Sequence, residues 1–392
     1  MRDSGLAESA SRCRLMGVGA ALPENRIDQR AAAQLAIELG VSRRFEKALP
    51  VLYRQSGVSF RHSVLLESEP GATVSQTFYK QATIEEPHGP TTAQRIAAYR
   101  IHAGPLAIQA SSTALNNAQV EGKQITHLIT ISCSGFSAPG FDISLIQNIG
   151  LSPSVMRTNI GFMGCHGTLN GMRVAMAICN AQANATVLLC AVELCSLHQR
   201  YTDDAQQLVA NAIFADGAGA LVFGGLDASS NDCHGPRDGN DFLSHQWNLV
   251  DCSSYLIADS IDLMSWQIGD HGFEMGLSPR VPEVIEKHLF AWVSQWLAQF
   301  SLGIQDISNW AIHPGGPRIL TACASALNLT EEQLRPSLEV LTHRGNMSSP
   351  TVIHILESMQ SSNSLGHWQV VLAFGPGLCI EAALLERKLQ PS

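Results

Sequence analysis

The chain is short of charge. Asp, Glu, Lys and Arg make up 15% of its 392 residues, against roughly 25% in an average soluble protein. The hydrophobic share, 45%, is ordinary. The deficit therefore points to a large buried fraction and excludes a disordered chain, which needs high charge and few apolar residues. A basic surplus is also missing: 25 Lys and Arg stand against 34 Asp and Glu, a formal charge of −9. A nucleic-acid partner would call for a basic stripe, and none is present. Paired cysteines are absent as well. The ten cysteines fall at 13, 133, 165, 179, 190, 195, 233, 252, 323 and 379, with no C-x-x-C and no metal-type framework of closely spaced Cys and His. That excludes a disulfide framework and a zinc-type site. Several, such as Cys190 and Cys379, sit in apolar runs, where a free cysteine behaves as a small hydrophobe. No uncharged apolar run reaches the ~18 residues of a membrane span. The N-terminal stretch MRDSGLAESASRCRLMGVGAALP lacks an apolar core followed by a cleavage site, so the expectation is a soluble cytoplasmic protein.

At roughly 100–200 residues per domain, the length predicts two or three domains or one two-lobed one. The stretch 227–245, DASSNDCHGPRDGNDFLSH, is the clearest boundary, being rich in turn residues. It divides an N-terminal lobe, 1–226, from a C-terminal lobe, 246–392. Residues 65–92 form a second polar region. Strands and helices alternate: strands over 127–133, 186–192, 308–313 and 368–374, helices over 166–180, 281–300 and 349–360. Leu169, Met172, Met176 and Cys179 recur at helical spacing, as do Leu289, Trp292, Val293, Trp296, Leu297 and Phe300. Gly217 and Gly219 read as a turn into the strand ALVFG. There is a faint repeat. Cys165 opens a helix and the next strand follows about 21 residues on; Asn346 precedes a helix and the next strand follows about 22 residues on. Two α/β lobes of common ancestry produce such a pattern.

Three segments carry chemistry. In GFMGCHG, Cys165 stands between glycines before an apolar helix, where free N–H groups and a cationic neighbour lower a thiol's pKa. A buried structural cysteine fits the same residues. In WAIHPGGP, His313 ends a short strand at a Pro/Gly loop, a place where α/β folds present side chains to a cleft. In RGNMSS, Asn346 is at a helix entrance and by itself reads as a cap. Cys, His and Asn in this order also occur in papain-like peptidases, and 148 residues separate Cys165 from His313. The G-C-H-G setting, mid-chain and between two similar lobes, disfavours a peptidase. His166 adjoins Cys165, but on a helix it points about 100° away, which assigns it to structure or cavity shape.

GFMGCHG, WAIHPGGP, RGNMSS and AFGPGLCIE, with THLITISCSGFSAPGFD, FADGAGALVFG and WQIGDHGFEMGLSPRVP, resemble the type III polyketide synthases, the chalcone synthase-like branch of the thiolase superfamily. The likeness runs from about Gly17 to about Leu385, and GDHGF and VELCSLH look bacterial. It implies an α/β thiolase fold, five-layered αβαβα from two pseudo-repeated lobes, and a homodimer. It implies Cys165 as the nucleophile that takes an acyl group from acyl-CoA, with His313 and Asn346 binding the thioester oxygen while malonyl-CoA loses CO₂. The acyl-CoA and malonyl-CoA are substrates, and no metal or organic cofactor is implied. Phe214 and Phe273 match the gatekeepers where CoA tunnel meets cavity. Ala138 stands where plant chalcone synthases carry a methionine reaching across the dimer, Cys195 and His198 where they carry cavity threonines, and Ala373 replaces a glycine. Basic CoA-binding positions have no clear counterpart; Arg54, Arg61 and Gly315 are the nearest candidates. These departures lead away from a ring-bearing starter toward an aliphatic or fatty one, with cyclisation to a pyrone, resorcinol or phloroglucinol-type product. The rivals are a ketoacyl carrier-protein synthase III, which has His-Gln-Ala-Asn where this chain has His-Pro-Gly-Gly-Pro, a non-catalytic thiolase-fold partner, and a cysteine hydrolase acting on acyl-CoA.

Overall fold

The structure, a computed structural model, describes residues 13–68, 74–225, 247–360 and 366–387. The expected boundary loop 227–245 lies outside the described residues. The first half runs β1 (Arg14–Ala21), β2 (Arg26–Asp28), α1 (Gln29–Glu38), α2 (Leu49–Gln55), β3 (Phe60–His62), α3 (Thr92–Ala118), β4 (His127–Ser132), α4 (Phe141–Asn148), β5 (Met156–Gly161), α5 (Gly167–Ala181), β6 (Thr186–Leu194), α6 (Ala205–Ile213) and β7 (Asp216–Gly224). The second half runs β8 (Trp247–Leu256), β9 (Met264–Gly269), β10 (Gly272–Leu277), α7 (Val281–Ala298), β11 (Asn309–Ile312), α8 (Pro317–Leu327), α9 (Glu331–Arg344), α10 (Thr351–Gln360), β12 (Trp368–Gly375) and β13 (Cys379–Arg387). No helix among the described residues is long and apolar enough to cross a membrane.

The faint repeat is explicit in the topology. Nine strands join in the order β11-β12-β13-β8-β1-β7-β6-β4-β5. In the first half β4 pairs parallel with β6, β6 antiparallel with β7, and β7 antiparallel with β1. In the second, β11 pairs parallel with β12, β12 antiparallel with β13, and β13 antiparallel with β8. The halves meet at a seam of two residue pairs, Arg14–Asn248 and Leu15–Trp247.

Period-two side-chain alternation sorts these strands into layers. Ile129, Ile131, Leu189 and Ala191 of one half, with Val371, Ala373, Ala383 and Leu385 of the other, enclose α5 and α10 in one core. The opposite faces pack outward. Leu188, Cys190 and Val192 meet the alanine-rich face of α3, and Val370, Leu372 and Phe374 meet α7 and α8. The sequence is therefore α3, sheet, α5 with α10, sheet, α7 with α8. The stripes expected on α5 and α7 face these cores, where Leu169, Met172, Cys179, Leu289, Val293 and Leu297 are fully buried; each such side chain contributes about 1.5–3 kcal/mol. Gly217 and Gly219 lie inside β7 rather than in a turn. A Cβ on Gly219 would stand 2.7 Å from Ile353 Cβ, and one on Gly217 2.5 Å from Met347 Sδ. Their role is to let the α10 region approach the sheet.

Candidate active site

Cys165 sits in the turn Gly164–His166, directly before α5. Gly164 holds φ +75°, and a Cβ there would lie 2.5 Å from Pro376 Cδ, so glycine is required to seat the turn. Its N–H donates to Cys133 Sγ over 3.1 Å. The thiol is buried, and burial pushes it up to about 12; Glu193 raises it further, while the Ser348 hydroxyl, hydrogen-bonded to it, pulls down. This corrects the expectation of a lowered thiol pKa. The helix terminus is in place, but desolvation outweighs it and no cation among the described residues offsets it. His313 follows β11 at the strand end, as expected. Burial pushes it down to about 3, with His166 adding to the effect. Both ring nitrogens are buried with no hydrogen-bond partner among the described residues.

Asn346 is not a helix cap, because α10 begins five residues later, at Thr351. Its backbone bridges to Phe214: Asn346 N–H donates to Ile213 O over 3.0 Å, and Ala215 N–H to Asn346 O over 2.8 Å. The side-chain Oδ1 accepts from Ser348 N–H at 2.7 Å. That engages the amide oxygen and leaves the NH₂ as a donor.

Cys165, His313 and Asn346 line one cavity of about 740 Å³, together with Phe214, Gly315 and Arg318. Its other walls are largely apolar, including Val51 and Leu52 of α2, Val209 and Ile213 of α6, and Leu277. Beyond Cys165 lies a small inner compartment of about 20 Å³, bordered by Cys133, Ser134, Glu193, Cys195, Trp266 and Ser348. A third, of about 60 Å³, lies past Cys195 and His198 and reaches α1. Phe214 borders all three.

The remaining expected residues scatter. Phe273 is fully buried and stacks on His198 at 4.1 Å between ring centroids. It borders none of the three cavities; Trp266, packed edge-on against it, borders two. Ala138 is exposed in a separate groove of about 590 Å³ with Phe136 and Phe162 and is not among the walls of its own chain's Cys165 cavity. Arg61 is committed elsewhere: its guanidinium donates to Asn211 O and Phe214 O and lies over the Tyr53 ring. Arg54 is exposed on α2 and misses the cavity that Val51, Leu52 and Gln55 line. His166 Nδ1 lies 2.8 Å from Asn170 Oδ1, and Asn170 Nδ2 donates to Glu381.

Three residues escaped sequence reasoning. Glu193 is fully buried and accepts from Cys133 N–H (3.0 Å), Ser134 N–H (2.8 Å), Ser134 Oγ (2.6 Å) and Ser349 Oγ (2.8 Å). Burial pushes it up to about 7 against these bonds. A lone carboxylate in the apolar strand TVLLCAVEL was the available signal. Ser348, at φ +57°, lies in RGNMSS. Arg318 directly follows HPGGP. It makes no hydrogen bond or ion pair among the described residues. It sits in the first turn of α8, where the helix dipole opposes a cation.

Residues 3–227 match the family model for chalcone and stilbene synthases, N-terminal domain, and residues 248–388 the corresponding C-terminal domain. The chain is 29% identical to the alpha-pyrone synthesis polyketide synthase-like Pks18 of Mycobacterium tuberculosis, over 94% of this chain and 90% of that protein. It is 32% identical to the 1,3,6,8-tetrahydroxynaphthalene synthase of Streptomyces peucetius, over 94% and 91%. It is also 32% identical to polyketide synthase 37 of Dictyostelium discoideum over 75% of this chain, but spans only 10% of that protein. The crystal structure of PKS-I from the brown alga Ectocarpus siliculosus superposes with a TM-score of 0.83 at 28% identity, covering 96% of this chain and 98% of that one.

Proposed function

The chain belongs to the chalcone and stilbene synthase family and is a type III polyketide synthase, and on that premise we propose that Cys165 carries the acyl chain while His313 and Asn346 promote decarboxylation of malonyl-CoA. The observation that carries this reading is convergence. A buried thiol, an imidazole with both nitrogens unpartnered and an amide NH₂ line one deep cavity. Thiol and imidazole are both held neutral by burial. Proton transfer from Cys165 to His313 creates a thiolate and an imidazolium that stabilise each other, and the thiolate attacks the acyl-CoA carbonyl. CoA leaves as its thiol with the proton from His313. Malonyl-CoA then loses CO₂, and the enolate oxygen is held by donors on His313 and Asn346. The enolate carbon attacks the Cys165 thioester, forming a carbon–carbon bond and releasing the Cys165 thiolate.

The starter is an aliphatic acyl-CoA, and the product a pyrone or resorcinol. Two sources support this. The inner walls are rich in sulfur, with Cys133, Cys195, Met264 and Met275, and such side chains adapt to a flexible chain. A relative at 29% identity is named for alpha-pyrone synthesis. Arg318 at the wall of the wide cavity receives the phosphates of CoA. A second copy of the chain covers the exposed β5 edge with Phe136 and Met156, which are 56% and 53% exposed; Phe136→Glu then yields a monomer in sedimentation. The decisive experiment is mass spectrometry of products from a panel of acyl-CoAs with malonyl-CoA. Aliphatic starters should be extended, and Cys165→Ala should form neither acyl-enzyme nor product. Turnover of aromatic starters alone would remove the aliphatic assignment. CoA release without malonyl-CoA consumption would indicate a hydrolase.

A further inference from the structure

We propose that His166 is a positioning residue for the condensation: anchored through Asn170 to Glu381, it seats the turn of Cys165 against the second half of the fold and leaves the thiol's proton to His313. The inference rests on the reading of Cys165 and His313 as nucleophile and base.

Three observations carry it. The first is the sense of the hydrogen-bond chain. Glu381 accepts from Ser254 Oγ at 2.7 Å and is paired with Arg173. A carboxylate offers no donor, so the Asn170 amide must turn its NH₂ to Glu381, over 3.2 Å, and its Oδ1 to His166. The 2.8 Å contact between Asn170 Oδ1 and His166 Nδ1 therefore needs the proton on Nδ1. Neutral His166 is held in that tautomer, and Nε2 bears the lone pair.

The second is the seat. Asn170 and Arg173 lie on α5 in the first half, whereas Glu381 on β13 and Ser254 on β8 belong to the second. The end of β12 closes on the same turn from that side. A Cβ on Gly375 would stand 2.6 Å from His166 Nε2, so the ring fills the space where any other residue would carry a side chain. Pro376 fills the space beside Gly164 in the same way, and Thr168 Oγ1 donates to Ser349 O at 2.6 Å. His166 is buried and borders none of the cavities described above. It therefore reaches the chemistry through Cys165 and His313, not through substrate binding.

The third is charge. Two neighbouring imidazoles in one buried site resist being cations together, and His166 helps burial push His313 down to about 3. Burial pushes His166 down as well; Asn170 and Glu381 oppose that, and Arg173 adds to it. His313 has no such support, so acid protonates His166 first. The cation then repels the proton that Cys165 must pass to His313. The groups facing the ring are Cys165 and Arg173 from its own segment, Glu381 from β13 and His313 after β11; β12 presents Gly375. Cys252 and Cys379, near Glu381, are thiols that burial pushes up.

The test is the pH dependence of kcat and KM with malonyl-CoA and an acyl-CoA that the native enzyme extends. His166→Ala should lower kcat on the order of a hundredfold, the effect of reacting groups displaced by about 1 Å, with KM for malonyl-CoA unmoved. In His166→Asn the amide Nδ2 stands in for Nδ1 as donor but does not titrate. That variant should recover most of the loss and carry the acid limb of kcat/KM to lower pH. Arg173→Met should carry the limb to higher pH, because Glu381 then acts on His166 unopposed. An Ala variant with the native kcat overturns the assignment, and so does an Asn variant with the native acid limb. If neither folds, an unmoved limb in Arg173→Met, at a partly exposed position, overturns it. Product formation by Cys165→Ala would instead remove the underlying reading.

Discussion

Cys165 is the residue on which opposing influences meet. Burial and Glu193 raise its pKa, and the Ser348 hydroxyl lowers it. Two substitutions should therefore move it in opposite directions. Ser348→Ala should shift the pH profile of iodoacetamide alkylation upward, and Glu193→Gln should shift it downward. Because Glu193 is pushed up to about 7, its ionisation through neutral pH adds a negative charge beside the thiol and works against the thiolate. Arg318→Glu should raise KM for malonyl-CoA several-fold, an exposed charge pair being worth about 1 kcal/mol. The effect should fade with salt and be absent for malonyl-N-acetylcysteamine, which lacks the phosphates. The glycine-flanked Cys165 and the strand-end His313 were legible in the sequence because local backbone chemistry marks them. Ser348 and Glu193 were not, since their importance lies in partners brought from other elements. Arg61 misled for the converse reason: a sequence shows a cation but not the carbonyls it already serves.

Among the elements, the turn Gly164–His166 and α5 behave as one unit. Gly164→Ala must force an L side chain to φ +75° and place its Cβ 2.5 Å from Pro376. A loss of about 1–3 kcal/mol is expected in denaturant melts. Acylation at Cys165 should fall further than the melt alone accounts for, because the proposed nucleophile rides on that turn. Strands such as Thr186–Leu194 and helices such as Gly167–Ala181 were readable from apolar runs and helical spacing. The glycines of β7 were not. Glycine reads as a turn in a single sequence, and only the tertiary approach of Ile353 and Met347 explains it inside a strand. The start of α10 was misplaced by two residues because Ser348, at φ +57°, interrupts the helical run.

For the molecule as a whole, buried histidines set the acid response. His198, His313 and His354 are each pushed down to about 3 by burial. Their unfolded pKa is about 6.5. They therefore favour the folded state above that value, and the contribution is lost as pH falls from about 6.5 toward 3, each by up to about 1.4 kcal/mol per pH unit. Glu193, raised to about 7, and Asp216, also raised, act in the opposite sense over the upper part of that range. Unfolding free energy should thus decline gently between about pH 6.5 and 5 and steeply below, as urea titrations across that range would show. The repeat of the two halves was faintly legible as two matching helix-to-strand intervals. The nine-stranded order was not, because its pairings, such as Leu15 with Trp247, join residues far apart in the chain.

The trio is divided between the halves: Cys165 precedes α5 in one, while His313 follows β11 and Asn346 precedes α10 in the other. With the roles proposed for these three residues, closing the central layer and completing the catalyst are the same event: a half-folded chain holds a thiol without its imidazole, or an imidazole without its thiol, and condenses nothing.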